Sequence, residues 1–599
     1  MITPEQAGTL HGLFVERARR TPDKVAYRYS QQDGDSPQNA WHDLTWREML
    51  SEVARWQSAL GGLGLQRGER VAIMLRNCPQ WVMCDQAAMS LGLIVVPLYT
   101  LDRPDNTAYI INDAGVKVLL FENIEQWQAL RTVREQLGGV VRFVSIDELD
   151  NGDDARLKTM AEFLPASAAL QPAISCAMSD LASIIYTSGT TGKPKGVMLS
   201  HANMLTNAYN VCMNTFVVHS DDLLLSFLPL SHTFERTLGY YLTVMAGATV
   251  AFARSIPQLS EDLQTIRPTL LISVPRIYER VYAAIKTRLD EGSPLKRKLF
   301  NLAVETGWAR FEHAQGRGSW KPSFLLWPVL QKLVAQKILN KLGGRLRVAI
   351  SGGAALAPEI SRVFVGLGLP IVQGYGLTET SPVIAGNRLE NNFPDSAGQP
   401  IRDVQIRLGK QNELCVKGPN VMLGYWNNPE ATKAMIDADG WLNTGDIVRI
   451  SETGHIYITG RIKEIIVMSN GEKVPPTDME IAILHDPLFD QVMIFGEARP
   501  YLVALAVLNP EAWAKFASAM SVPADKPESL TDSRVQDEVL KRIALNLRGF
   551  PGYAKVHRVL LLREPWTIDN GLLTPTLKLK RGAVVEKFSA QINALYDGH

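Results

Sequence analysis

The segment Tyr186-Thr187-Ser188-Gly189-Thr190-Thr191-Gly192-Lys193-Pro194-Lys195-Gly196-Val197 places hydroxyl residues, glycines and two lysines between two apolar runs. Small residues let backbone N–H groups approach an anion closely, hydroxyls add donors and lysines supply charge, so the combination suits a polyphosphate. A Walker-type loop needs glycine five positions before the Gly192-Lys193 pair and Ser or Thr directly after it. Thr187 and Pro194 stand there instead, which excludes that loop. A solvated turn has the same composition and is the alternative to a binding loop.

Four further strings carry reactive side chains. Gly374-Tyr375-Gly376-Leu377-Thr378-Glu379-Thr380 presents a carboxylate, a hard ligand suited to Mg²⁺, for which Thr187 is a candidate hydroxyl partner. Asp446 follows Gly445 in Gly440-Trp441-Leu442-Asn443-Thr444-Gly445-Asp446, where a carboxylate either accepts a diol or caps its own turn. Leu573-Thr574-Pro575-Thr576-Leu577-Lys578-Leu579-Lys580-Arg581 brings cations near the C-terminus, which are either reactive or a solvated basic face. His232, in Leu228-Pro229-Leu230-Ser231-His232-Thr233-Phe234-Glu235-Arg236, is a candidate acid–base or positioning group, or a satisfied core histidine. His201 reads as structural, with Ser200 before it as a helix N-cap.

Taken in order, these strings resemble the motifs of the adenylate-forming superfamily, which includes acyl-CoA synthetases, luciferases and peptide-synthetase adenylation domains. The resemblance spans about residues 40 to 590 and is closest to long-chain acyl-CoA synthetases. It implies that Thr187, Ser188, Gly189, Thr190, Thr191, Gly192 and Lys193 cradle the phosphates of ATP. Gly353 and Ala354, with Gln373, Gly374, Tyr375, Gly376 and Thr378, would border the adenine, and Asp446 and Arg461 would hold the ribose. Glu379 and Thr187 would hold Mg²⁺, and His232 would lie near the reacting carboxylate. Lys578 would be the adenylation lysine, with Lys580 as the alternative, because the family usually has glycine where this chain has Leu577. Lys463 would be the hinge about which the small domain rotates, bringing Ser469, Asn470 and Gly471 to a coenzyme A channel.

The implied activity is a long-chain fatty acid:CoA ligase, AMP-forming, with ATP and coenzyme A as substrates. An acyl-AMP ligase loading an acyl-carrier protein, and a non-catalytic fatty-acid or nucleotide sensor, are the competing readings. A carboxylate attacking the α-phosphate brings anion to anion, so cations and donors must converge on one phosphate.

Elements able to position these residues are visible in the pattern. Runs such as RVAIML, LIVVPLY, VKVLLF, ASIIYTS, TLLISV and LRVAIS alternate with helical stretches, which predicts an α/β fold of βα units with mostly parallel sheets. Short strands follow Trp441, with a hairpin turn at Glu452-Thr453-Gly454, and a small α+β domain ends the chain. The expected division is a large domain over 1–460, a hinge over 461–463 and a mobile domain over 464–599. A length of 599 residues agrees with more than one core.

Charge and composition narrow the partners. Sixty-two basic against 61 acidic residues gives no excess for binding nucleic acid. Five scattered cysteines without a CxxC pair argue against a disulfide framework or zinc site and for a reducing cytoplasm. Uncharged Thr237 to Ala253 reads as a buried helix, a turn and a buried strand rather than a span. Residues 294–347 carry eleven Lys or Arg against two Glu, with Trp308, Trp320 and Trp327 interleaved. That stretch either docks at the inner face of a membrane or is a solvated basic face that steers anionic substrates.

Overall fold

The computed structural model describes residues 1–31, 40–149, 154–187, 193–462, 464–575 and 577–597. The expectations for Ser188, Gly189, Thr190, Thr191, Gly192 and Lys463 fall outside the described residues.

Two large sheets are built on one plan. In the first, Val25–Gln31, Thr249–Phe252, Leu223–Ser226, Leu270–Ser273, Val348–Ser351 and Ile371–Gly376 lie side by side in parallel, with antiparallel strands at both edges. In the second, Leu157–Thr159, Arg142–Ser145, Val116–Phe121, Arg70–Met74, Ile94–Pro97 and Leu181–Thr187 are parallel, and Lys195–Ser200 turns back against the last of them. Parallel strands are covered on both faces, so they read as continuous apolar runs rather than alternating ones. Ile94–Pro97, Leu270–Ser273 and Val348–Ser351 are buried throughout, as that rule requires.

The uncharged stretch after Arg236 divides as expected. A π-helical turn over Glu235–Tyr241 continues as the helix Leu242–Ala246, which stops at Gly247 with φ 78°, and the strand Thr249–Phe252 follows. Among the described residues no helix is long and apolar enough to cross a membrane. Ser200 caps the helix His201–Asn214, and the His201 ring accepts the Leu10 N–H at 3.3 Å.

A four-stranded antiparallel sheet follows, with Leu442–Ile450 and Ile456–Arg461 paired across the turn at Glu452 to Gly454. A separate core begins at Ile466. Its centre is the fully buried strand Leu502–Leu508, flanked by Phe489–Phe495 antiparallel and Val556–Leu562 parallel. Helices Pro510–Ala519 and Ser533–Asn546 pack on one face of this sheet through Trp513, Val535 and Val539. The C-terminal helices Arg581–Lys587 and Ser589–Ala594 cover the other through Val584 and Ile592.

Candidate active site

Strand ends deliver the site. Leu181–Thr187 finishes at Thr187, and the chain returns along Lys195–Ser200, so Lys195 opens the adjacent strand and Lys193 lies two residues before it. Each lysine lies over an aromatic ring: Lys193 Nζ is 5.0 Å from the Tyr109 centroid and Lys195 Nζ 5.2 Å from that of Tyr425. Such contacts hold an ammonium in place while leaving its donors available.

Tyr425 is a site residue that the sequence did not expose. Its hydroxyl donates to Glu379 Oε1 at 2.7 Å, and among the described residues Oε2 has no hydrogen-bond partner. Burial, and then the Glu379 carboxylate, raise the Tyr425 hydroxyl well above the ordinary tyrosine value, so it stays a donor. Backbone also fixes the carboxylate, since Met422 N donates to the Glu379 carbonyl at 2.9 Å. The only sequence signal for Tyr425 was a short Gly424-Tyr425-Trp426 string, which pairs with Val197 and Met198.

Asp446 and Arg461 face each other in the register of the antiparallel pair. Arg461 Nε donates to Asp446 Oδ1 at 2.7 Å, and the Tyr375 hydroxyl donates to Oδ2. Both carboxylate oxygens are therefore already engaged, where the sequence suggested two oxygens free for a diol. Each retains further lone-pair capacity, so the carboxylate is preorganised rather than consumed. Gly445, at φ 74°, lies in the strand Leu442–Ile450 where its pairing with Glu413–Lys417 shifts register, next to buried Asp446.

The loop after Val348–Ser351 carries Gly353, at φ 81°, and Ala354, both exposed. Gln373 lies on the neighbouring strand but spends its side chain on protein: Oε1 accepts the Leu356 N–H at 2.9 Å and Nε2 donates to the Pro394 carbonyl. Its amide thus shapes the Gly353 loop. Gly352 is required by close approach, because a Cβ there would come within 2.7 Å of the Phe234 ring. The Gly353 loop and the His232 segment approach closely through that pair. Gly374 and Gly376 lie on the strand Ile371–Gly376, and Thr378 opens the short 3₁₀ turn that holds Glu379.

His232 Nδ1 accepts the Phe234 N–H at 3.2 Å, so Nε2 carries the proton of the neutral ring and points a donor outward. Burial, and then the charge of Lys578, push its pKa down to about 4. Lys578 belongs to the small domain, and its effect on His232 places it in the same cleft. Burial, and then Arg461, lower its own ammonium, against the pull of Asp446, Glu379 and Glu464.

The Lys578 loop is tight: Lys578 N donates to Thr574 Oγ1 at 3.0 Å and Thr574 N to the Lys578 carbonyl at 2.8 Å. Leu577 sits at φ 60°, a conformation that glycine adopts without penalty and other residues at about 1–2 kcal/mol. This explains why glycine suits that position. Lys580 instead lines a cavity of about 210 Å³ between the domains, with Tyr99, Asn106, Lys193 and Pro575. Ser469, Asn470 and Gly471 form the exposed turn between Ile466–Val467 and Lys473–Val474. Among the described residues their side chains bond nothing in the large domain.

Comparison with known proteins matches residues 14–426 to the AMP-binding enzyme family and residues 463–599 to the AMP-binding enzyme C-terminal domain. The chain belongs to the AMP-binding enzyme family. Within the family it is 31% identical over 597 residues to long-chain-fatty-acid–CoA ligase FadD15 of Mycobacterium bovis, covering 98% of this chain and 96% of that protein. It is 33% identical over 627 residues to the peroxisomal long chain acyl-CoA synthetase 6 of Arabidopsis thaliana, covering 98% and 86%. The fold is shared with the adenylation domain of a carboxylate reductase from Mycobacterium chelonae, at a TM-score of 0.77 and 22% identity over 98% and 91% of the two chains.

Proposed function

We propose that this AMP-binding enzyme activates a long-chain fatty acid with ATP as its acyl-AMP and passes the acyl group to coenzyme A. One observation carries the reading. A lysine of the small domain, Lys578, stands in the cleft where Glu379, Asp446, Arg461 and His232 all lie within reach of its charge. The long-chain acyl-CoA relatives, which align over nearly the whole chain, support the choice of acid and acceptor.

In the first step a carboxylate oxygen attacks the α-phosphorus, an O–P bond forms, and pyrophosphate leaves with the electrons of the broken P–O bond. Lys578 neutralises the approaching carboxylate and the α-phosphate, and the Nε2–H of His232 orients the carboxylate. Asp446, held by Tyr375 and Arg461, accepts from the ribose hydroxyls. Cations placed in advance lower the barrier because no reorganisation is needed as charge develops. Glu379, with one oxygen tied by Tyr425, and Thr187 fit Mg²⁺, which takes few protein ligands and fills its shell with phosphate and water. When bound, the ion would neutralise phosphate charge.

In the second step the thiolate of coenzyme A attacks the acyl carbonyl, a C–S bond forms, and AMP leaves. Rotation of the small domain about Lys463 would bring Ser469, Asn470 and Gly471 to the cleft for this step, in line with gated turnover. The decisive experiment measures pyrophosphate and AMP release over a panel of saturated and unsaturated acids, with and without coenzyme A. The reading requires pyrophosphate release that depends on a long acyl chain and AMP release that depends on the thiol. ATP left intact with every acid would overturn it.

A second acceptor is an acyl-carrier protein. A long-chain-fatty-acid–[acyl-carrier-protein] ligase of Arabidopsis thaliana is 28% identical over 627 residues, covering 93% of this chain and 84% of that protein. Replacing coenzyme A by a holo carrier protein in the same assay separates the two readings.

A further inference from the structure

Residues 322–342 form one continuous helical path, from the 3₁₀ turn Pro322–Leu326 through Trp327–Leu330, Gln331–Ala335 and Gln336–Leu339 to Asn340–Leu342. Its inner face is satisfied. Trp327, Leu330 and Ala335 pack on Phe300, Ala303 and Val304 of the helix Pro294–Ala314. The outer face is apolar as well. Leu326, Val329 and Leu333 recur at a spacing of three and four, which puts them on one side of a helix, and they are 51%, 57% and 47% exposed. Leu325 and Trp320 extend the stripe, and the Trp320 ring meets Phe324 edge-on.

An amphipathic helix of a water-facing surface would carry polar residues on that side. The charged residues present here are all cations beside the stripe: Lys321, Lys332, Lys337 and Lys341, each exposed, with Gln331 and Asn340 as neutral polar neighbours. Residues 313–358 contain no Asp or Glu at all. The packed inner face explains why the element folds, and it does not explain leucines and valine held in water next to exposed ammonium groups.

We infer that this stripe docks on an anionic lipid bilayer, with Leu325, Leu326, Val329 and Leu333 entering the acyl boundary and the lysines meeting the headgroup phosphates. Charge decides the occupant. A second copy would use the same patch on both chains under two-fold symmetry and set lysine against lysine, whereas an anionic surface complements all of them. Aliphatic residues flanked by Lys and a Trp at the margin are what an interfacial element requires. The inference uses no catalytic residue and stands independently of the acid and acceptor proposed above.

The test is co-sedimentation of the full chain with vesicles of phosphatidylcholine alone and of phosphatidylcholine mixed with phosphatidylglycerol. The chain is expected to pellet with the anionic vesicles, to remain in solution with the neutral ones, and to be released by added salt. L326S/V329S/L333S and K321Q/K332Q/K337Q should each weaken partitioning at least about ten-fold, with unchanged melting temperature and unchanged AMP formation on a detergent-dispersed acid. Failure of the wild type to pellet with anionic vesicles overturns the inference, as does pelleting of either variant to the same extent as the wild type. A wild-type dimer in sedimentation velocity that the serine variant dissolves also overturns it, by making a second copy the occupant.

Discussion

Arg236 and Asp85 form an ion pair in which neither side chain is exposed to solvent. Arg236 closes the His232 segment, Asp85 lies in the helix Pro79–Ser90, and each guanidinium nitrogen and each carboxylate oxygen of the pair has a hydrogen-bond partner. Arg236 Nη1 donates to Ser183 Oγ at 2.7 Å and Nε to the Tyr241 hydroxyl at 3.1 Å. Asp85 Oδ2 accepts from Tyr240 and Tyr241 at 3.1 and 3.2 Å. Ser183 belongs to the strand that ends at Thr187, so the pair ties the strand Leu181–Thr187 to the element that holds His232. Removing one partner strands a buried charge, at a cost of about 3–5 kcal/mol, whereas an apolar pair of similar volume avoids that penalty. Arg236→Met and Asp85→Asn are each expected to lower stability to chemical denaturation by about that amount, and Arg236→Met with Asp85→Leu to restore most of it. Because positioning is lost in all three, adenylation should remain impaired in the double variant. Recovery of activity along with stability would reduce the pair to a packing role.

Lys578 and Lys580 differ in surroundings, and that difference predicts different phenotypes. Lys578 shares the cleft with Glu379, Asp446, Arg461 and His232, while Lys580 lines the neighbouring cavity with Lys193. Lys578→Ala is expected to reduce acyl-AMP formation by at least about 100-fold, the scale for loss of one preorganised charge stabiliser. It should leave thioester formation from supplied acyl-AMP nearly intact. Lys580→Ala should retain adenylation within about ten-fold. Single-turnover measurement of each half-reaction checks both, and equal losses in the two variants would refute the assignment to Lys578.

Legibility in the sequence followed how local the determining interactions are. Runs such as LLIS at 270–273 and VAIS at 348–351 announced parallel strands because burial on both faces leaves no polar position to blur the pattern. Asp446 and Arg461 were recognisable as separate strings, but their mutual pairing depends on the register of a hairpin. Tyr425 was invisible as a site residue, and Tyr375 was legible as one but not as the partner of Asp446: a tyrosine on a short strand looks like core, and only the fold brings its hydroxyl to Glu379 or Asp446. The tie of Gln373 to the Gly353 loop was hidden for the same reason, since the Leu356 and Pro394 groups that hold its amide lie 17 and 21 residues away.

Tyr425 fixes one oxygen of Glu379, and Lys195 is stacked on the same ring. Tyr425→Phe removes the hydroxyl while keeping the ring, so the loss is confined to one charge-assisted hydrogen bond of about 1.5–3 kcal/mol at most. The expected result is a rise in the Mg²⁺ concentration needed for half-maximal adenylation, by about three- to thirty-fold, with little change in melting temperature. A variant with unaltered Mg²⁺ dependence would separate Tyr425 from the metal ligand.

His232 is held neutral by burial and by Lys578, with a pKa of about 4. Its protonation therefore lies below the range in which free histidine titrates. The acid limb of kcat/KM for adenylation is expected to show no inflection between about pH 6 and 7 from this ring. His232→Gln keeps an N–H donor and should retain more activity than His232→Ala. An inflection near pH 6.5 in the wild type that vanishes in His232→Gln would contradict a neutral, donating imidazole.

Glu235 is buried next to Ser226, whose hydroxyl donates to Oε1 at 2.6 Å, and Oε2 has no partner among the described residues. Burial outweighs that hydrogen bond and pushes the carboxyl up from 4.5 to about 8. The folded chain thus keeps a proton that the unfolded chain releases. The associated stability is complete below about pH 4.5 and is lost as pH rises through about 8, by up to about 1.4 kcal/mol per pH unit. Buried His11 and His201, both pushed down to about 4 chiefly by desolvation, act in the opposite sense and cost stability as pH falls below about 6.5. Comparing Glu235→Gln with the wild type cancels the histidine contribution, because both proteins carry it. The melting-temperature difference, variant minus wild type, should grow steadily in favour of the variant between pH 5 and 8. A constant difference across that range would mean that Glu235 is ionised in the fold and has a partner for its second oxygen.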